Sequence, residues 1–119
     1  MRRALAALTI LLCAAPLAAC GGSESAPGDT KDPKVIDVTF KGDSVTPNGE
    51  RVEVATGQDV ELHVTADAPG EIHVHSTPEQ ELTYDKGETT LTIHGIDAPG
   101  TVDVESHSLD KVIVQLEVR

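Results

Sequence analysis

From Val35 to the C-terminal end, the chain repeats in twos. Val52-x-Val54, Val60-x-Leu62-x-Val64, Leu91-x-Ile93, Val102-x-Val104 and Val112-x-Val114-x-Leu116-x-Val118 place an apolar side chain at every second position. Thr, Glu, Asp or Gln fill most positions between them. Successive side chains of an extended strand point to opposite faces, so this pattern makes strands with one buried and one wet side. Turn formers interrupt it at short intervals: Pro47-Asn48-Gly49, Gly57-Gln58, Asp67-Ala68-Pro69-Gly70, Lys86-Gly87 and Asp97-Ala98-Pro99-Gly100. No window sustains a helical period. Seven or eight strands rich in β-branched residues predict an all-β fold, an antiparallel Greek-key β-sandwich spanning residues 34–119. Asp-Ala-Pro-Gly occurs twice, each time before an alternating strand, which suggests two similar turns at one end of the sandwich.

The first 33 residues read differently. Arg2 and Arg3, the apolar run Ala4 to Ala15 and the small residues before Cys20 form a tripartite export segment over residues 1–19. The apolar run falls short of the roughly 20 residues that a bilayer core demands. Leu17-Ala18-Ala19-Cys20 resembles the bacterial lipobox. That likeness implies a diacylglyceryl group on the Cys20 thiol, cleavage before it, and a chain held at the extracytoplasmic face of a bacterial membrane. Residues 20–33 then comprise the lipidated cysteine and a flexible tether. Gly21 to Pro33 (GGSESAPGDTKDP) has no apolar periodicity and, as a random coil, spans on the order of 20 Å.

Composition removes several function classes. Nine basic residues stand against 20 acidic ones; loss of Arg2 and Arg3 leaves seven, a formal charge of −13 on the mature chain. Such a surface repels nucleic acid and anionic headgroups, and suits cationic partners including metal ions. Phe40 and Tyr84 are the only aromatics, too few for a stacking platform for sugars, bases or Pro-rich peptides. Cys13 lies in the export segment and Cys20 is the lipid carrier, so the mature domain keeps no free thiol and no disulfide.

The order and spacing of Val52-x-Val54-x-x-Gly57-Gln58-x-Val60-x-Leu62, of Ile72-His73-Val74-His75 and of Ala98-Pro99-Gly100-Thr101-Val102-x-Val104 resemble cupredoxin-like domains. So do Leu82 to Gly87 and the strand around Leu91 and Ile93. The resemblance covers most of residues 35–118 and implies a cupredoxin-like sandwich. Cupredoxins hold copper with a histidine on a middle strand and a Cys, His and Met set near the C-terminus. His73 falls at the first position. Ser106 falls about where the cysteine belongs and offers no thiolate, His107 comes too early for the loop histidine, and Met1 is the only methionine. The resemblance therefore implies the scaffold without type 1 copper.

Five histidines remain to be placed. His73 and His75, at i and i+2, share one side of a strand, and His-x-His is a workable half of a Cu(II) or Zn(II) site. If the family topology holds, His107 is the natural third ligand, with Glu105 or Glu71 as carboxylates. Alternation with Ile72 and Val74 puts His73 and His75 in water, whereas the family's ligand points inward; both orientations stay open at this level. His63 reads as an exposed strand residue and His94 as a solvated turn residue. Catalysis lacks support, because Ser106 and His107 are adjacent and point apart, while Asp103 and Glu105 look like a solvated face. Two functional readings follow. One is a lipid-anchored binding or accessory module, with no enzyme activity, that meets a protein partner at the membrane. The other is a Cu(II)- or Zn(II)-binding module using His73, His75 and His107 to deliver metal there.

Overall fold

A computed structural model describes residues 31–119. The expected export segment, Cys20 and the tether up to residue 30 lie outside the described residues. Nine strands follow in order: β1 (Lys34–Lys41), β2 (Ser44–Thr46), β3 (Glu50–Val54), β4 (Val60–Ala66), β5 (Gly70–Val74), β6 (Gln80–Tyr84), β7 (Gly87–Ile93), β8 (Gly100–Ser106) and β9 (Lys111–Val118). No helix among the described residues is long and apolar enough to cross a membrane.

The strands assemble into two sheets, ordered β2-β1-β4-β7 and β3-β9-β8-β5-β6. Their apolar sides meet in one core. Val60, Leu62 and Val64 of β4 face in from the four-stranded sheet, opposed by Ile72 and Val74 of β5, Val104 of β8 and Leu116 of β9. The polar residues between them form the wet faces, as the two-residue period predicts. Lys31 donates to the Thr56 carbonyl and Gln58 donates to the Asp32 carbonyl, both at 2.8 Å, which pins the start of the domain.

Three features depart from the sequence reading. The sheets are mixed: β1 runs parallel to β4, and β3 runs parallel to β9. Hydrophobic period fixes which side of a strand is buried, not the direction of its neighbour. The connections between these partners are long enough for parallel pairing. Second, a register shift between Val104 and Glu105 leaves Ile113 as an extra residue in β9. Ile113 and Val114 are consequently both buried, and Val112 drops out of the alternating set. Third, the two Asp-Ala-Pro-Gly turns lie at opposite ends of the sandwich, because the strands they introduce, β5 and β8, pair antiparallel.

The two aromatics are used by the core. Phe40 and Tyr84 stack with centroids 4.7 Å apart and planes 14° from parallel. Gly70 sits directly over the Tyr84 phenol, where a Cβ would lie 2.6 Å from Cζ.

Candidate metal centre

Ile72 and Val74 are both fully buried. Two core residues separated by one position force Glu71 and His73 onto the outer face of β5, and His75 continues that row just past the strand end. The orientation left open by the sequence is thereby decided: His73 faces out of the sandwich. Ser106, at the position the resemblance gives to a copper-binding cysteine, faces the opposite way and is 0% exposed. Its hydroxyl lies 3.5 Å from that of Ser108 and accepts from the Leu109 amide at 3.4 Å. His73 and Ser106 cannot reach a common ion across the sheet that separates them.

Strand register builds the rest of the face. His73 is opposite Glu81 on β6 and Glu105 on β8, and Glu71 is opposite Thr83. The His75 amide donates to the Asp103 carbonyl, and the His107 amide donates to the Glu71 carbonyl, which extends the rows at both ends. Imidazoles and carboxylates thus alternate over the outer surface of β8, β5 and β6. Gln80 turns away from this face and clamps the segment after β7. It donates to the His94 carbonyl at 3.1 Å and accepts from the His94 amide at 2.9 Å, so β6 and its flanking acids are held in place.

His73 is the centre of the cluster. Its side chain is 14% exposed, its Nε2 is hydrogen-bonded to Glu71, and its Nδ1 lies 3.1 Å from Glu79 and 4.0 Å from Glu81. A carboxylate at each ring nitrogen favours the doubly protonated ring. The hydrogen bonds to Glu71 and then Glu79 raise the His73 pKa above 6.5, against a smaller opposing effect of desolvation. One ligand atom each from Glu71, His73 and Glu81 lies within 4.8 Å of the others, the one such group of three among the described residues.

The other sequence-identified histidines are neighbours of this group or lie apart from it. His107 stacks on His73 at 4.7 Å, 19° from parallel, and His75 is 6.5 Å away and tilted by 39°. Nitrogen lone pairs lie in the ring planes, so near-parallel stacked rings do not aim them at one point. His75 Nε2 instead meets Glu105 at 2.9 Å. His63 is on the outer face of the other sheet, 3.3 Å from Glu61 and 3.6 Å from Asp37, and His94 is exposed beyond β7. Sequence reasoning missed Glu79 and Glu81. Their signal is the alternating Glu79-Gln80-Glu81, placed on the strand that a hairpin returns beside Glu71-Ile72-His73.

One imidazole nitrogen and two carboxylate oxygens form a borderline-to-hard donor set. It fits a divalent ion such as Zn(II) or Cu(II) and leaves coordination positions open. No cysteine follows Cys20 and no methionine follows Met1, so soft sulfur donors are missing from the described residues.

Comparison with protein-family models and with curated proteins finds no match. Solved structures do match. A copper(I) form of an amicyanin variant aligns over 77% of this chain and 87% of its own, with a TM-score of 0.54 and 13% identity. A purple cupredoxin from Nitrosopumilus maritimus aligns over 72% of this chain and 99% of its own, at TM-score 0.51 and 14% identity. A blue copper oxidase from Nitrosomonas europaea matches at TM-score 0.53 and 14% identity, with only 47% of its length spanned. At these identities the likeness is one of architecture, and the chain has a cupredoxin-like β-sandwich fold.

Proposed function

We propose that the protein is a lipid-anchored, extracytoplasmic binding module that takes up Zn(II) or Cu(II) through Glu71, His73 and Glu81. In this reading it carries no type 1 copper and no enzyme activity, and it offers the ion to a partner at the membrane surface. The observation that carries the reading is the approach of one imidazole and two carboxylates to within 4.8 Å on two paired strands. A bound divalent ion would supply positive charge to an anionic face, with His73 giving a nitrogen and the two glutamates giving oxygens. His107 and His75 border the site, His107 against the face of the His73 ring.

Isothermal titration of the mature protein with Zn(II) and Cu(II) tests this. Sub-micromolar binding that is lost in His73→Ala and Glu81→Gln, and largely kept in His75→Ala and His107→Ala, is the expected result. Equal loss in all three histidine variants would replace the glutamate set with a three-histidine one. Weak uptake insensitive to His73→Ala would leave the protein as an accessory module acting through protein contacts. The anchor has a separate test: Cys20→Ala should accumulate as an uncleaved precursor without an acylated N-terminal cysteine. A wild-type mature chain released with a free Cys20 thiol would overturn it.

A further inference from the structure

We infer that the free edge of β3 is a self-association surface, through which two copies of this chain pair antiparallel about Val52. The inference is independent of the metal reading. β3 ends the five-stranded sheet and has a neighbour, β9, on one side only. Beside its open edge lies a groove of about 650 Å³. Lys34 to Asp37 of β1 form one wall of that groove, and Glu50 to Glu53 form the other. β2 covers β1 only from Thr39 to Lys41, so the β1 wall is also without a strand partner on that side. Val52 is half-buried within the groove, and Val35, 48% exposed, is the one exposed large apolar side chain among the described residues.

Charge decides the occupant and the register. A two-fold axis normal to the sheet keeps the outer faces of both copies on one side, so the pairing must be centred on a residue. Centring on Arg51 would set the two arginines against each other, and centring on Glu53 would do the same to the glutamates. Centring on Val52 places Arg51 opposite Glu53 of the second copy, twice by symmetry, with Val52 against Val52. Opposite charges directly across an antiparallel pair are favourable, and like charges are not.

The other edges lack this property. β2 carries no charge, while β6 and β7 carry one glutamate each and no base. Isolated edge charges ordinarily discourage strand addition. On β3 the Val52-centred register neutralises Arg51 and Glu53 together and leaves Glu50 opposite Val54. Arg51 is available for the purpose: its side chain is 74% exposed and its contact with Glu117 is a loose 3.7 Å. Glu53 is shared with Arg119 at 2.9 Å. A chain carrying 20 acidic residues repels copies of itself in most orientations, which makes a matched basic residue at one edge selective.

Disulfide trapping in the full chain, expressed in a bacterial host and oxidised in membranes, tests the register. Opposed residues of an antiparallel pair have Cα atoms about 4.5–5.5 Å apart, within disulfide reach. Val52→Cys should give a reducible dimer, and Thr90→Cys on the β7 edge should not. Adding Arg51→Glu should lower the trapped fraction about tenfold, since two opposite-charge pairs become like-charge pairs. Adding Arg51→Glu together with Glu53→Arg should restore it. No Val52→Cys dimer, an equal yield from Thr90→Cys, or trapping indifferent to Arg51→Glu would overturn the inference.

Discussion

Gly70 offers the sharpest test of how the candidate metal face is held. It pairs with Tyr84 across β5 and β6, the two strands that supply Glu71, His73 and Glu81. Its backbone is one that any residue adopts, so alanine there meets a single obstacle. The new methyl would lie 2.6 Å from Tyr84 Cζ and 3.2 Å from Cε1, with the phenol oxygen nearer still. Tyr84 is buried and stacked on Phe40, so the ring cannot swing clear without leaving that stack. Overpacking of this kind costs about 1–3 kcal/mol. A lost aromatic stack adds about 0.5–1.5 kcal/mol. Gly70→Ala should therefore cost about 2–4 kcal/mol, which for a domain of this size lowers Tm by roughly 10–25 °C. Tyr84 is the only tyrosine in a chain without tryptophan, so near-UV circular dichroism reports chiefly on its packing. In a Tyr84→Leu background, which removes the clashing atoms, Gly70→Ala should cost well under about 1 kcal/mol, a coupling that a double-mutant cycle measures. A Tm change of less than about 3 °C for Gly70→Ala would refute the reasoning. So would a cost that persists unchanged in the Tyr84→Leu background.

Other outcomes follow from the orientation and charge of the face. The His73 pKa is raised by Glu71 and Glu79, so its contribution to stability is complete below about 6.5, the ordinary histidine value, and is lost as pH rises through the folded-state value. Titration by NMR should show Glu71→Gln lowering that pKa and flattening the pH dependence of stability between the two values. Because metal must displace this proton, Zn(II) affinity should fall on acidification from a higher pH than at an isolated imidazole; an uptake curve without that displacement counts against His73 as ligand. Ser106→Cys loaded with Cu(II) should not develop the intense absorption of copper thiolate, since residue 106 is buried on the side of the sheet away from His73. Appearance of that band would show that the two residues can meet.

The alternation of valine, leucine and isoleucine is sufficient to read β4, β8 and most of β9, because burial on one side imposes a period of two whatever the neighbours are. Partner direction leaves no such trace. The parallel pairing of β1 with β4 therefore cannot be read from the residues of either strand. The candidate metal face is half legible for the same reason. Glu71 and His73 sit on one strand, where spacing shows that they share a side. Glu81 joins them only through the β5–β6 register, and Glu79 through the turn before β6. His107 lies beside His73, yet its ring is flat against the other. Ring orientation depends on contacts that a one-dimensional pattern does not encode.

β6 is an outermost strand, with β5 as its one strand neighbour in the sheet and the Gln80–His94 hydrogen bonds at its start. Such strands open first, and their amides exchange with solvent before those of the sheet interior. An ion bridging Glu81 to Glu71 and His73 would act as a cross-strand staple, tying an edge strand of the sheet to an inner one. At about a hundred times its dissociation constant, it would oppose opening of β6 by about 2.7 kcal/mol. Occupancy of the site should thus be legible in the exchange rates of residues 80–84, far from any change in the core.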